Sequence, residues 1–241
     1  MMRRFLFLLV MVPRLAGAWD HLYTNYDSLL SQFVADGQVD YQGLQDQPDR
    51  LLTFISQTEF VTREQFDSTF NRAQKLAFLI NLYNAYILQL IMDNYPIKSI
   101  RDLQKPWERK IISLFGRRLS LNDIEHDLIR KEFKEPRIHF ALVGAAKSSP
   151  VLQEWAYIGD NLDQQLALAA REFLTDGSRN NIEPGPTNTI RISMLFKWHE
   201  KKFIRTRKSL VKVIEELSGR RFEKPPQIKY LDYDWGLNAR E

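Results

Sequence analysis

The apolar positions of the chain recur mostly with helical spacing. Helices are predicted near residues 22–36, 48–57, 62–93, 121–133, 160–175 and 195–217. Shorter apolar runs predict strands near residues 111–115, 118–120, 138–143, 189–193 and 228–233. The pattern indicates a helix-rich α+β fold: a single globular domain over residues 19–241, with a buried central helix and a small sheet of short strands.

The central helix is predicted from the segment between Leu76 and Met92, which carries no charged residue and has apolar side chains on every face. A membrane span is the alternative. The run is short for a bilayer, and Asn81, Asn84 and Gln89 would be costly in lipid. We therefore expect a core helix, and no transmembrane span in the mature chain.

The first 18 residues have the layout of a secretory signal peptide. Arg3 and Arg4 precede an apolar run over residues 5–12, and Ala16-Gly17-Ala18 supplies small residues at the usual cleavage spacing. An uncleaved membrane anchor is the alternative, but the apolar run is short and interrupted early. We expect residues 1–18 to be removed and the protein to be exported, either periplasmic or secreted.

Removal of this leader changes the charge balance. The whole chain has 34 Lys and Arg against 30 Asp and Glu, and the leader holds three arginines and no acid, so 31 bases remain against 30 acids. This near neutrality gives no basis for a nucleic-acid partner, and none is expected. The chain has no cysteine, which excludes a thiol nucleophile, a thiolate metal site and stabilising disulfides.

The stretch Arg137-Ile-His-Phe-Ala-Leu-Val-Gly-Ala-Ala-Lys-Ser-Ser-Pro150 is the best candidate for a functional site. An extended run carrying His139 opens into a loop of small residues. Strand alternation would place Arg137, His139 and Ala141 on one face, opposite the more apolar face. His139 is therefore a candidate catalytic base or ligand contact. A structural role, which is common for a lone strand histidine, stays open.

The loop after this run holds Lys147, Ser148 and Ser149. Either serine could supply a nucleophile or a hydrogen-bond donor, and Lys147 is a candidate ligand contact. A serine nucleophile needs an adjacent base and an orienting acid. The alternative is a serine turn that ends at Pro150.

Polar residues of two predicted helices complete the candidate site. Asn81 and Asn84 lie three residues apart on the central helix, where buried amides must find hydrogen-bond partners. They either clamp loops to the core or line a pocket. Glu125 and His126 lie in the first turn of the helix at 121–133. His126 could join a polar site with Arg130, or that pair could face solvent.

No metal site and no cofactor are predicted. His199-Glu200-Lys-Lys-Phe203 has phenylalanine where a zinc-protease helix needs its second histidine. Gly144-Ala-Ala-Lys147-Ser148 follows a predicted strand but lacks the glycines of a phosphate-binding loop.

Five segments together resemble a known family. They are Ala77–Ala85, Leu119–His126, Arg137–Leu142, Phe196–Trp198 and Tyr233–Asn238. They resemble, in order and through nearly all of the mature chain, the signatures of the bacterial and plant "domain of unknown function 547". The resemblance implies no activity. Bacterial relatives often carry two cysteines in the loop after the Arg137–Leu142 block, where this chain has Gly144 and Ser149. The resemblance therefore implies that any thiol chemistry of those relatives is lost here.

Three functions are open at this point. The favoured one is an exported binding module, whose polar pocket uses Asn81, Asn84, Glu125 and His139 to hold a small molecule or peptide. The second is a hydrolase or transferase with His139 as base and Ser148 or Ser149 as nucleophile or donor. The third is a structural envelope protein. The absence of the loop cysteines favours the first over the second.

Overall fold

The structure is a computed structural model, and it describes residues 19–204 and 209–240. The predicted signal peptide lies outside the described residues. Ten α-helices are described: α1 (Thr24–Phe33), α2 (Tyr41–Asp46), α3 (Asp49–Glu59), α4 (Arg63–Ser68), α5 (Arg72–Met92), α6 (Lys131–Phe133), α7 (Leu162–Thr175), α8 (Met194–Trp198), α9 (Glu200–Phe203) and α10 (Leu210–Ser218).

Six short strands accompany these helices within the described residues. They are β1 (Val34–Ala35), β2 (Gln38–Val39), β3 (Ile112–Leu114), β4 (Arg117–Leu119), β5 (Thr189–Ile192) and β6 (Gln227–Tyr230). They form three separate pairs: β1–β2 and β3–β4 are antiparallel, and β5–β6 is parallel. The prediction of a helix-rich α+β fold is confirmed.

The central helix α5 is shorter than the predicted segment 62–93, because a helix boundary divides that segment. The Asn71 side chain accepts a hydrogen bond from Gln74 N at 2.9 Å, and the Gln74 side chain accepts one from Asn71 N at 2.9 Å. This reciprocal capping starts α5 and separates it from α4. Among the described helices, α5 is long and apolar enough to cross a membrane, but 89% of its most apolar window is buried within the molecule.

The predicted strands near 111–115 and 118–120 form the β3–β4 hairpin, which leads into the helix predicted near 121–133. Ser120 N donates to Asp123 Oδ2 at 2.7 Å, and Asp123 N donates to Ser120 Oγ at 3.2 Å, so a capping box starts this helix. The helix that follows, Asp123–Arg130, is a π-helix and continues into α6. This wider helix carries Glu125, His126 and Arg130.

The prediction of a strand at 138–143 is wrong. Residues Pro136–Phe140 form a 3-10 helix instead. Pro136 fixes φ at its first position, and the Glu135 side chain accepts a hydrogen bond from Arg137 N at 3.0 Å, which caps the turn. Alternation along a strand therefore does not decide which way His139 points.

The buried apolar side chains form two clusters. The larger one surrounds α5 and includes Ile138, whereas the smaller one includes Phe140 and residues of α7, β5, α8, α9 and α10. Neighbouring residues of the 3-10 helix thus pack into different cores. His139 lies between them in sequence, at the seam of the two clusters.

The loop after the 3-10 helix binds the C-terminal segment through its backbone. Lys147 N donates to Gly236 O at 2.8 Å, Ser148 N donates to Asp234 O at 3.2 Å, and Asn238 N donates to Ala145 O at 3.3 Å. On its other side this segment reaches β2, where Val39 N donates to Asn238 O at 2.9 Å. The loop therefore holds the C-terminal segment in place through backbone hydrogen bonds.

Candidate functional site

Three side chains from distant parts of the sequence converge at the seam between the two cores. The carboxylate of Glu125 and the imidazoles of His139 and His199 each offer one ligand atom, and these atoms all lie within 4.8 Å of one another. Glu125 Oε1 is 3.9 Å from His139 Nδ1. The two imidazole rings stack with their centroids 3.7 Å apart and their planes at 20°. We call these three residues the histidine–glutamate centre.

Each member of the centre comes from a different kind of local structure. Glu125 belongs to the π-helix, a wide form of helix that occurs frequently at functional sites. His139 belongs to the 3-10 helix at the seam. His199 lies at the junction of α8 and α9, with φ −111° and ψ 14°, outside regular helix geometry. The centre therefore depends on the packing of three elements.

The centre is shielded from water, although it is polar. The side chain of His139 is 4% exposed and that of Glu125 is 14% exposed. The edge of the Phe203 ring packs against His139, with centroids 5.6 Å apart. Among the described residues, the His139 side chain makes no hydrogen bond.

Burial and neighbouring positive charge keep both imidazoles neutral. Desolvation, followed by the charges of His199 and Arg130, lowers the pKa of His139 well below its ordinary value of 6.5. Desolvation and the Arg130 charge lower the pKa of His199 to about 4. The contact between His139 and Glu125 is therefore not an ion pair at neutral pH, and the imidazole nitrogens can accept a proton or a metal ion.

Positive groups form the rim of the centre. Arg130 Nη1 lies 3.5 Å from Glu125 Oε1 and 2.5 Å from His126 Nδ1. The His126 side chain is 47% exposed, so it lies at the solvent side of this arrangement. Lys202 of α9 adds a further positive charge close enough to lower the pKa of both buried histidines. A ligand that enters from this side meets these groups first.

The loop residues predicted for the site have other partners. Ser148 Oγ accepts a hydrogen bond from Asp234 N at 2.9 Å, and Ser149 Oγ accepts one from Gly144 N at 2.6 Å. Within residues 19–204 and 209–240, neither hydroxyl bonds to His139. The Lys147 side chain is exposed. The described hydrogen bonds thus lack the relay from histidine to serine that a serine nucleophile needs.

Asn81 and Asn84 are buried and fully engaged with the backbone. Asn81 donates to Tyr157 O at 2.8 Å and accepts from Tyr157 N at 2.9 Å. Asn84 donates to Ala141 O at 2.9 Å and accepts from Val143 N at 3.1 Å. This is the loop-clamp arrangement that the sequence left open, and Asn84 holds the chain just after the 3-10 helix of His139.

Gly144 and Ser149, where the family resemblance implies cysteines in bacterial relatives, are neighbours in space. A Cβ atom built on Gly144 would lie 3.9 Å from the Cβ of Ser149. That separation is typical of disulfide-bonded cysteines. In this chain a hydrogen bond from Gly144 N to Ser149 Oγ joins the same two positions.

His199 is the residue that sequence reasoning missed. It was considered only as part of a zinc-protease helix that lacks its second histidine. It lies 60 positions after His139, and no local pattern connects the two. The available signal was compositional: the chain has four histidines, and three of them, His126, His139 and His199, meet at this centre.

Comparison with known proteins identifies a family for part of the chain. Residues 68–174 match the family described as "Protein of unknown function, DUF547". The match confirms the predicted resemblance, and it contains Glu125 and His139 but ends before His199. No curated protein and no solved structure matches the chain. The segment 68–174 thus matches a family whose description states no activity.

Proposed function

We propose that this protein is an exported ligand-binding module, and that its ligand contacts Glu125, His139 and His199. The single observation that carries the proposal is the convergence of these three side chains. One ligand atom from each lies within 4.8 Å of the others, and the His139 and Glu125 side chains are largely shielded from solvent. Polar side chains that converge in a shielded place are typical of a ligand site.

The size of the ligand group follows from the burial of the centre. The side chain of His139 is 4% exposed and that of Glu125 is 14% exposed, so little of either is accessible from solvent. The group that reaches His139 is therefore small: an ion, or one polar end of a small molecule or peptide.

The two alternative functions have less support. A serine hydrolase or transferase would need a hydroxyl at His139, whereas the described hydroxyls of Ser148 and Ser149 accept backbone hydrogen bonds. A purely structural role would leave unexplained why two imidazoles and a carboxylate converge in a shielded place. We therefore propose no reaction, and favour binding.

The binding proposal is tested by thermal shift. The purified protein is screened against small anions, divalent metal ions, amino acids, short peptides and cell-envelope metabolites. We expect at least one of them to raise the Tm of the wild type and to have little effect on His139→Ala. His21→Ala is the matched control. It removes the fourth histidine of the chain, whose ring packs on Phe70 with centroids 4.5 Å apart, and the ligand should still stabilise it. A ligand that stabilises His139→Ala as well as the wild type would contradict the proposal.

Export is proposed on sequence grounds, from the arginines, the apolar run and the small residues of positions 1–18. Cleavage after Ala18 would make Trp19 the first residue. Trp19 packs on Phe78 with ring centroids 5.2 Å apart. Cell fractionation and N-terminal sequencing test this proposal. Recovery of the uncleaved chain in the cytoplasm would contradict it.

A further inference from the structure

We propose that Glu125, His139 and His199 together bind a divalent transition-metal ion. The inference rests on the proposed function, because it names the ligand of the same centre. Two imidazoles and one carboxylate are a donor set used for zinc and for non-haem iron, and three protein ligands leave coordination positions open. The three ligand atoms already lie within 4.8 Å of one another before any ion binds.

The geometry requires a small closure of the centre. Ligand bonds of about 2.0–2.2 Å in a tetrahedral site set ligand atoms roughly 3.3–3.5 Å apart. Glu125 Oε1 and His139 Nδ1, at 3.9 Å, are close to this value. The widest pair of ligand atoms, within 4.8 Å, must approach by up to about 1.5 Å.

His199 is the member that can move. An ion lies near the plane of each imidazole that binds it, so the stacked rings of His139 and His199 must tilt apart. His139 is held between the two cores, whereas His199 is only partly buried and lies at a helix junction. Rotation of the His199 side chain out of the stack therefore completes the site.

The surroundings of His139 suit a metal ion. The apolar contact with Phe203 shields one side of His139 from solvent, as the surroundings of a metal site often do.

Arg130 is the group that opposes the ion. Its guanidinium lies 3.5 Å from the carboxylate oxygen of Glu125 that would bind the metal. A divalent ion must compete with this charge, and with that of Lys202, for Glu125. Replacement of Arg130 by glutamine should therefore tighten metal binding, by at least about threefold.

The test is a metal titration of the purified protein after treatment with a chelator. Zn²⁺ and Co²⁺ are titrated by calorimetry, and the Co²⁺ complex is followed by its visible absorption. We expect one equivalent to bind and, at a hundredfold excess over Kd, to raise the Tm by about 5–10 °C. His139→Ala, His199→Ala and Glu125→Gln should each weaken binding by tenfold or more. His21→Ala should bind as tightly as the wild type.

Glu125→Gln keeps the test valid if a histidine variant does not fold, since glutamine preserves the shape of the glutamate side chain. The proposal is overturned if none of Zn²⁺, Co²⁺, Ni²⁺ and Mn²⁺ binds the wild type at 1 mM, about the weakest affinity of interest. Binding that persists in the double variant His139→Ala/His199→Ala overturns it too.

The outcomes also separate this proposal from the broader one. If phosphate or an organic ligand stabilises the wild type but not His139→Ala, while no metal ion binds, the metal proposal fails and the binding module stands. Stabilisation by phosphate alone would identify an anion site at Arg130 and Lys202. If no compound in the screen and no metal ion binds, both proposals fail.

Discussion

The amides of α5 and the histidine–glutamate centre are both polar groups removed from water, and they use their hydrogen-bonding capacity in opposite ways. Asn81 and Asn84 each donate one hydrogen bond to the backbone of a loop and accept one from it. His139 is buried to a similar degree and makes none among the described residues. The amides stabilise the fold, and the imidazole keeps a nitrogen available.

This difference indicates which buried polar residues are candidates for a functional role. A saturated amide has little left to offer a ligand, and its loss exposes the backbone groups that it holds. An imidazole without a protein hydrogen bond can still offer a nitrogen to a ligand. Helix α5 therefore supports the site without contributing a residue to it. Its Asn84 forms hydrogen bonds with the residues that follow the 3-10 helix of His139.

The largest effect is expected at the clamps. Asn84→Ala leaves Ala141 O and Val143 N without their partner, and Asn81→Ala does the same to the backbone of Tyr157. Each substitution should lower the free energy of unfolding by about 2–5 kcal/mol, since each leaves two buried backbone groups without a hydrogen bond. Denaturant unfolding at constant m-value measures this.

The control for the clamp variants is Asn161→Ala, which removes an exposed amide that makes no capping hydrogen bond. Its effect should stay within about 0.5 kcal/mol. Equal losses in all three variants would remove the distinction between saturated clamps and ordinary asparagines.

The next effect concerns pH. The folded pKa of His199 is about 4, below the ordinary value of 6.5, so the unfolded state binds a proton first as the pH falls. The contribution of His199 to stability is complete above pH 6.5. It is lost between pH 6.5 and 4, at up to about 1.4 kcal/mol per pH unit. The loss should level off below pH 4.

Comparison of the wild type with His199→Asn isolates this contribution. The free energy of unfolding is measured from pH 7.5 to 4, and the variant should gain on the wild type as the pH falls. Glu125, His126, Arg130 and Lys202 face the two histidines and are present in both proteins, so the two proteins differ only at position 199. Parallel curves would mean that His199 is not buried in its neutral form.

A smaller effect on stability is expected when the hydrogen bond between Gly144 and Ser149 is replaced by a disulfide. The double variant Gly144→Cys/Ser149→Cys places two Cβ atoms about 3.9 Å apart, so a disulfide should form on air oxidation. The closed loop is short, and the hydrogen bond at Ser149 is lost, so the net stabilisation should be about 0–2 kcal/mol.

Thiol titration and mass spectrometry detect the disulfide, and the reduced double variant is the control for stability. Persistent free thiols in the oxidised sample would show that Gly144 and Ser149 are not held next to each other. Ligand binding at the histidine–glutamate centre should be unchanged, because both positions bond elsewhere.

The smallest effect is expected at Ser148, whose hydroxyl accepts one hydrogen bond from Asp234 N near the surface. Ser148→Ala should cost about 0.5–1 kcal/mol and leave ligand binding intact. Thermal shift with the ligand or metal found for the wild type measures both quantities. Loss of ligand binding in this variant, with the fold preserved, would indicate that the loop of Ser148 belongs to the ligand site.

Much of the scaffold was predictable, because it rests on local patterns. The uncharged apolar run of α5, the turn of the β3–β4 hairpin and the capping pair Ser120 and Asp123 are each encoded within a few residues. The predicted strand at 138–143 failed for a local reason as well. Pro136 and the capping by Glu135 favour a 3-10 turn, and an apolar run of this length fits either structure.

The sequence by itself determined a helix-rich fold, a buried central helix with two internal amides, and His139 as a residue of interest. Only the tertiary structure decided that the amides are clamps, that the serine loop docks the C-terminal segment, and that His199 joins His139 and Glu125. The physical reason is that side-chain periodicity reports the buried face of one element. The meeting of a π-helix, a 3-10 helix and a helix junction depends on how two hydrophobic cores pack together.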